Sequence, residues 1–202
     1  MSDDPTHVRE FFGARAADWD SRFPDDGPAY AAAVKELGLR PGDAVLDAGC
    51  GTGRALTPLR AAVGPTGTVL GADLTPEMLE RAVAAGRGGT DGTATLLLTD
   101  VGHLPVRDGA LDAVFGAGLV SHLADPVADL RELARVVRPG GRLALFHPIG
   151  RAALAARHGR QITPDDLRAE PRLRPVLAEA GWRLVGYVDE DARYLAMAVR
   201  EG

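Results

Sequence analysis

The chain has 202 residues, of which 46% are hydrophobic and 25% are charged, and its formal net charge is −5. These proportions are typical of one globular domain that buries its own core, and an acidic chain without a run of basic residues does not favour a nucleic-acid partner. One cysteine, Cys50, excludes an intrachain disulfide, and an acidic start without any bilayer-length apolar run predicts a cytoplasmic protein with no secretory signal and no membrane partner.

Short apolar runs alternate with longer helical stretches after an amphipathic start. Strands are predicted at Ala44–Gly49, Thr68–Asp73, Ala94–Asp100, Leu111–Gly118, Arg142–Pro148, Trp182–Val188 and Arg193–Arg200. Helices are predicted at Tyr30–Gly38, Arg54–Val63, Pro76–Ala85, Val127–Val137 and Arg174–Ala180. Two turn-rich stretches interrupt this pattern: Gly86–Thr93, which we expect to be mobile, and Arg138–Gly141, which we expect to close the preceding helix.

The alternation of strands and helices predicts the fold class. Strands separated by helices of about ten residues or more imply βαβ units and a mainly parallel sheet. The last two strands are separated only by Asp189–Ala192, a connection that permits an antiparallel hairpin but no crossover. The sequence contains no internal repeat or low-complexity tract, so we predict one three-layer α/β domain over residues 1–202.

The most informative stretch is the sequence VLDAGCGTG, in which a predicted strand runs into a glycine-rich turn and then a helix. Gly49, Gly51 and Gly53 let the backbone bend tightly and approach a ligand closely, because no Cβ atom intervenes. The dinucleotide fingerprint requires a third glycine where this chain has Arg54. Asp47 would repel a pyrophosphate but suits a ligand with ammonium and sulfonium groups. The pattern therefore favours a cationic nucleoside ligand.

This stretch, together with FFGARAADWDSRF before it and RVVRPGGRLAL after it, resembles the class I S-adenosylmethionine-dependent methyltransferases, from about Phe11 to the C-terminus. The resemblance implies a seven-stranded Rossmann-like sandwich with an antiparallel last strand. It also implies a helical lid (residues 1–40), a cofactor-binding core (residues 41–150), and a segment 151–202 that carries the substrate side and the last strands. S-adenosylmethionine is the implied cofactor, and no metal is predicted.

The resemblance also assigns roles to residues of the predicted cofactor site. The glycine backbone would cradle the methionine part, Asp73 would bind both ribose hydroxyls, and Asp100 would lie beside the adenine amino group. Leu74 and Met78 would flank the adenine, and Ala117 would line the sulfonium. The full set of expected cofactor contacts is Asp47, Gly49, Gly51, Gly53, Asp73, Leu74, Met78, Asp100, Val101 and Ala117. For Asp73 and Asp100, an ordinary role as strand-end turn residues is the alternative interpretation.

Two further groups of residues are candidates for function. Phe11, Trp19 and Arg22 belong to the stretch that resembles the lid, although Trp19 on an amphipathic helix also suits the core. His122 and His147 follow the fourth and fifth predicted strands, at the edge of the sheet where a substrate would lie. An imidazole can accept a proton from an acceptor hydroxyl near neutral pH, so these histidines are candidate general bases beside a purely structural role. The catalytic residues otherwise remain unassigned.

A small molecule is the expected methyl acceptor, because the chain lacks the Asn-Pro-Pro-aromatic sequence of amino-directed DNA and protein methyltransferases. The reaction expected is an in-line displacement at the methyl carbon, which alignment and exclusion of water would accelerate most. Five arginines after the fifth strand raise the option of an acidic acceptor: Arg151, Arg157, Arg160, Arg168 and Arg172.

Alternative functions share part of the same pattern. An enzyme that uses another group of S-adenosylmethionine, or a non-catalytic protein that binds it, would have the same glycine turn and Asp73. A nicotinamide-dependent oxidoreductase is disfavoured by Arg54 and Asp47. The acceptor atom, the oligomeric state and the pathway are left open by the sequence.

Overall fold

A computed structural model of the chain describes residues 5–89 and 93–202. Residues 1–4, and residues 90–92 in the turn-rich stretch predicted to be mobile, lie outside the described residues. The helices are α1 Pro5–Gly13, α2 Trp19–Arg22, α3 Gly27–Leu37, α4 Leu56–Val63, α5 Pro76–Ala84, α6 Pro126–Val136, α7 Arg151–Arg157 and α8 Glu170–Glu179. The strands are β1 Ala44–Ala48, β2 Thr68–Asp73, β3 Thr95–Leu98, β4 Leu111–Ala117, β5 Val137–His147, β6 Trp182–Glu190 and β7 Arg193–Arg200. Short 3₁₀ turns lie at Ala16–Asp18 and Val120–His122.

The seven strands form a single sheet in the order β3-β2-β1-β4-β5-β7-β6. Strands β1 to β5 pair in parallel, and β7 runs antiparallel between β5 and β6. The sheet therefore grows in opposite directions from β1 and β4, whose carboxyl ends border the crevice where open α/β sheets bind ligands. This architecture confirms the predicted Rossmann-like sandwich, including its antiparallel last strand.

The core lies on both faces of the sheet because successive strand residues point to opposite sides. Val45 and Phe115 pack on the face covered by α3, α4 and α5, whereas Leu46 and Val114 pack on the face covered by α6 and α8. Each fully buried side chain of this kind contributes about 1.5–3 kcal/mol. Within residues 5–89 and 93–202, no helix combines the length and the apolar character needed to cross a bilayer.

Most elements begin and end within a few residues of their predicted limits, and β2 and β7 match them fully. The prediction for Arg138–Gly141 is wrong, because these residues lie inside β5 instead of forming a separate turn after α6. Four residues of β5 thus lie opposite a single residue of β4, Asp112, and β5 bulges at this point. Gly140 has a φ of 75°, a conformation that glycine adopts without strain and that permits the bulge.

Candidate active site

The glycine turn follows β1 and is tied to the end of β2. Gly49, Gly51 and Gly53 have φ values of 69°, 53° and 80°, all in the left-handed region that favours glycine. The backbone N–H groups of Gly49 and Cys50 both donate to the carbonyl oxygen of Ala72, at 2.8 and 3.0 Å. We call residues 49–53 the glycine loop. The loop thus takes a defined shape at the carboxyl edge of β1, as the sequence predicts.

The space around the three glycines differs. A Cβ atom on Gly53 would lie 2.8 Å from Cδ1 of Leu56, and one on Gly49 would lie 3.3 Å from Cδ1 of Leu119, so a side chain at either position would crowd its neighbour. Among the residues that the structure describes, a Cβ atom on Gly51 would meet only the sulfur of Met78, at 4.0 Å. Gly51 therefore leaves open space beside its backbone, which fits a ligand that approaches the loop closely.

Asp73 ends β2 and binds the backbone on two sides. Its Oδ2 accepts a hydrogen bond from the N–H of Gly51 at 2.8 Å, and its Oδ1 accepts one from the N–H of Thr75 at 2.8 Å. Burial raises the pKa of this carboxyl, and these hydrogen bonds act in the opposite direction. A carboxylate oxygen has two lone pairs, so both oxygens retain capacity for the ribose hydroxyls that the resemblance assigns to them. That role stays a prediction.

Asp47 is the most unusual charged residue of the site. Its side chain is 1% exposed, and its Oδ2 has no hydrogen-bond partner within the described part of the chain. Burial, followed by repulsion from Asp73, raises its pKa to about 8. A buried carboxylate with an unused oxygen is costly unless a cation or a donor reaches it. The ammonium and sulfonium of S-adenosylmethionine fit this need, and the open backbone of Gly51 fits its approach.

The remaining predicted contacts lie at the carboxyl ends of neighbouring strands. Met78 is buried beneath the glycine loop, and Leu74 is half-buried between β2 and α5. Oδ1 of Asp100 accepts a hydrogen bond from the N–H of Gly102 at 2.9 Å, a turn contact that leaves its second oxygen available for a ligand. Val101 is half-buried against the core, and Ala117 ends β4. Their roles toward the cofactor stay predictions.

The start of the chain packs beside this edge of the sheet, and we call residues 5–26 the front segment. The predicted lid residues Phe11 and Arg22 are exposed in it, and Trp19 is half-buried. Trp19 lies between two other aromatic rings, with centroid distances of 5.4 Å to both Phe12 and Phe23. Phe12 and Phe23, which the sequence analysis did not single out, thus form an aromatic row with Trp19.

The two candidate bases have different surroundings. The ring of His122 meets the ring of Phe12 edge-on, with a centroid distance of 5.0 Å. His147 ends β5, and its Nδ1 lies 2.8 Å from the carbonyl oxygen and 3.1 Å from the N–H nitrogen of Ile149. Burial, with the nearby charge of Arg168 as a further cause, lowers the pKa of His147. His147 is therefore neutral at pH 7, the state that a general base requires.

Two arginines of the cluster after β5, Arg151 and Arg168, are paired with carboxylates. Nε of Arg151 lies 2.8 Å from Oδ2 of Asp189, and its Nη1 lies 3.6 Å from Oδ2 of Asp166. Asp166 also accepts from Arg168 at 3.0 Å. Arginines already paired with carboxylates contribute little net positive charge, so these contacts do not favour an acidic acceptor.

Comparison with known proteins agrees with this site. A family model described as a methyltransferase domain matches residues 46–145, which run from β1 to β5. An arsenite methyltransferase of Halobacterium salinarum is 29% identical over 167 residues, which are 76% of this chain and 40% of that protein. The chain spans between 32% and 44% of the length of the first curated relatives that it matches.

Two solved structures extend the comparison over nearly the whole chain. An S-adenosylmethionine-dependent methyltransferase from Aquifex aeolicus is 25% identical with a TM-score of 0.70, covering 98% of this chain and all of that one. A chain from the complex between the Haloferax volcanii Trm112 methyltransferase activator and a methyltransferase is 24% identical with a TM-score of 0.77, covering 95% of this chain and 98% of that one. The second likeness concerns the fold alone.

A parallel sheet with its glycine loop at the switch point defines the class of Rossmann-like nucleoside-binding proteins. Within that class, the matched family model and the acidic ends of β1 and β2 are decisive. The chain belongs to the class I S-adenosylmethionine-dependent methyltransferases, a family whose cofactor is S-adenosylmethionine.

Proposed function

We propose that this protein transfers a methyl group from S-adenosylmethionine to a small-molecule acceptor. The observation that carries the proposal is the buried Oδ2 of Asp47, which has no hydrogen-bond partner among residues 5–89 and 93–202 and belongs to the strand that leads into the glycine loop. A carboxyl group at that position offers no positive charge to the pyrophosphate of a dinucleotide, whereas the cationic amino-acid end of a nucleoside would favour its ionised form. His147 ends β5 at the same carboxyl edge of the sheet, and we place the acceptor beside it and the aromatic row.

When bound, S-adenosylmethionine supplies a methyl group that is activated by the positive charge on sulfur. The protein then has to orient its ligands and exclude water. The glycine loop and Asp47 would hold the amino-acid end, and Asp73 would hold the ribose. The aromatic row would shield the site from water, while His147 would accept a proton only from an acceptor that must lose one.

Two observations support a small acceptor. The front segment contacts α5 and the glycine loop, and an edge covered in this way favours a compact acceptor over an extended polymer. The arsenite methyltransferase that this chain resembles is also named for a small acceptor. A protein-activated methyltransferase is the second candidate, since the fold matches a chain of a complex with an activator. The observation in this chain that favours it is Leu98, which is 60% exposed on the edge strand β3.

The first test is ligand-induced stabilisation. At a hundredfold excess over its Kd, S-adenosylhomocysteine should stabilise the native state by about 2.7 kcal/mol. For a chain of this length the melting temperature should rise by roughly 5–10 °C, measured by scanning fluorimetry. NADH serves as the matched control and should produce no shift. A shift with NADH but none with S-adenosylhomocysteine would contradict the proposal.

The acceptor is tested by turnover with a donor labelled on the methyl carbon. A panel of hydroxyl, amine, thiol and arsenite compounds should give a labelled product of low mass, detected by mass spectrometry. Label that appears only on a protein or a nucleic acid, and only when an activator protein is added, would overturn the small-molecule acceptor and support the second candidate.

His147→Gln is expected to lower turnover by roughly a hundredfold or more for an acceptor that must be deprotonated, with S-adenosylhomocysteine affinity unchanged. The pKa of His147 lies below its ordinary value, so the wild-type rate should be constant near pH 7 and should fall as the pH drops below that lowered pKa. The pH–rate profile checks both points. His158→Gln, in the exposed part of the same region, is the control. Full activity of His147→Gln would exclude His147 as the base.

A further inference from the structure

Asp20 joins the front segment to three residues in two segments of the site. Its Oδ1 accepts hydrogen bonds from Oγ1 of Thr52 at 2.6 Å and from Nε of Arg54 at 3.1 Å. Its Oδ2 accepts one from Nη1 of Arg87 at 2.5 Å. Thr52 belongs to the glycine loop, Arg54 follows it directly, and Arg87 comes after α5. One carboxylate thus collects donors from segments on both sides of the loop.

Arg54 strengthens the same connection from the side of the loop. Its guanidinium also donates to the carbonyl oxygen of Phe23 and forms an ion pair of 3.1 Å with Asp26. The Arg54 side chain is only 14% exposed, and the planar guanidinium offers five donors in a fixed geometry. The residue that breaks the dinucleotide spacing therefore has a positive role, which is to bind the front segment.

Thr52 carries this contact into the loop itself. Its side chain is 2% exposed, and its backbone carbonyl accepts a further hydrogen bond from Arg87 at 3.1 Å. Thr52 lies between Gly51 and Gly53, whose left-handed conformations leave the loop backbone with little intrinsic preference for a single shape. A fixed hydroxyl between two glycines is an effective place from which to hold the loop.

The far side of the front segment is anchored as well. Phe12 contacts the ring of His122 after β4, and Nη2 of Arg81 on α5 donates to the carbonyl oxygen of Ala17 at 3.0 Å. The segment thus extends from α5 to the turn after β4, over the switch point between β1 and β4. Asp20 holds the part of it that lies against the glycine loop.

We propose that Asp20 is a positioning residue that holds the glycine loop in the shape that binds the amino-acid end of the cofactor. This inference rests on the proposed function. Hydrogen bonds from Thr52, Arg54 and Arg87 outweigh burial and lower the pKa of Asp20, so its carboxylate is charged at neutral pH and accepts all three donors. Loss of that charge should loosen the loop and the front segment together.

The test compares Asp20→Asn with wild type by calorimetry, using two ligands. S-adenosylhomocysteine has an amino-acid end, and methylthioadenosine has the adenine and ribose without it. Asp20→Asn should weaken S-adenosylhomocysteine about tenfold or more and methylthioadenosine less than about twofold. Equal losses for both ligands would indicate a general structural role and would overturn the proposal, as would unchanged affinity for S-adenosylhomocysteine. Failure of the wild type to bind S-adenosylhomocysteine would instead contradict the proposed function.

Trp19 provides a second readout that needs no ligand. The chain has two tryptophans, and Trp182 is fully buried, so quenching by acrylamide reports mainly on Trp19. Quenching should increase in Asp20→Asn and should not change in the control Asp25→Asn, an exposed carboxylate of the same segment. If Asp20→Asn does not fold, Thr52→Val removes the 2.6 Å hydrogen bond to Asp20, together with a longer one from Arg87 at 3.5 Å, and should show the same ligand preference. A Thr52→Val protein identical to wild type in both assays would overturn the proposal.

Discussion

Asp47→Asn is expected to weaken the binding of S-adenosylhomocysteine roughly thirtyfold or more, because asparagine cannot lose a proton to balance the cationic end of the ligand as the Asp47 carboxyl can. The same substitution is expected to stabilise the ligand-free protein near pH 8. Asparagine has nearly the same size as aspartate but is uncharged. Neither burial nor repulsion from Asp73 therefore destabilises it. Calorimetric titration and a melting curve of the same preparation measure the two effects.

The pH dependence of stability isolates the Asp47 charge. The pKa of Asp47 is raised in the native state from 3.8 to about 8. Between these values the native state holds a proton that the unfolded state has lost, so the contribution of Asp47 to stability is complete below pH 3.8 and falls as the pH rises toward 8. A difference of one bound proton between the two states changes the free energy of unfolding by about 1.4 kcal/mol per pH unit.

The gain in melting temperature of Asp47→Asn over wild type should therefore widen from pH 5 to pH 8. Asp25→Asn, at an exposed position, is the control and should leave the difference from wild type constant. A difference for Asp47→Asn that does not change with pH would show that Asp47 is ionised in the native protein throughout this range.

Asp73→Asn is expected to abolish measurable S-adenosylhomocysteine binding. An asparagine amide presents an NH₂ group toward the N–H of either Gly51 or Thr75, where the carboxylate accepts at 2.8 Å on both sides. One hydrogen bond to a buried acceptor is lost, at a cost of about 1–3 kcal/mol in the free energy of unfolding. The glycine loop keeps its hydrogen bonds to Ala72 but loses the one to residue 73 when the NH₂ group faces Gly51, and the carboxylate predicted to bind the ribose is gone.

The two losses can be separated by comparing stability with affinity. Urea unfolding at pH 7 gives the change in stability, and calorimetric titration gives the affinity. Asp43→Asn, at an exposed turn before β1, makes the same chemical change and serves as the control. Oδ2 of Asp43 accepts a hydrogen bond from the N–H of Arg40, so we expect this substitution to affect stability without changing ligand affinity. Ligand affinity within about threefold of wild type in Asp73→Asn would remove Asp73 from the site.

The sequence alone was sufficient to predict the strands, their mainly parallel arrangement and the place of the glycine loop. These features have local causes: apolar periodicity defines β2 and β7, and glycines next to a strand end define a turn that ligands can approach. The acidic residues Asp47 and Asp73 were found for the same reason, since each lies at or near the end of an apolar run. Arg138–Gly141 shows where local reasoning failed, because a Pro-Gly-Gly turn signal does not reveal that the backbone on both sides continues in one strand.

Only the tertiary structure decided which partners these residues have. Asp20 contacts Thr52 and Arg87, which are 32 and 67 positions away along the chain, and no local pattern encodes such a contact. The Asp47 oxygen that lacks a partner in the described part of the chain depends on how completely the neighbouring strands and helices bury it, which is a property of the packed fold. Local periodicity and turn chemistry determined the elements and the location of the site, whereas packing over long sequence separations determined its charge states and its connection to the front segment.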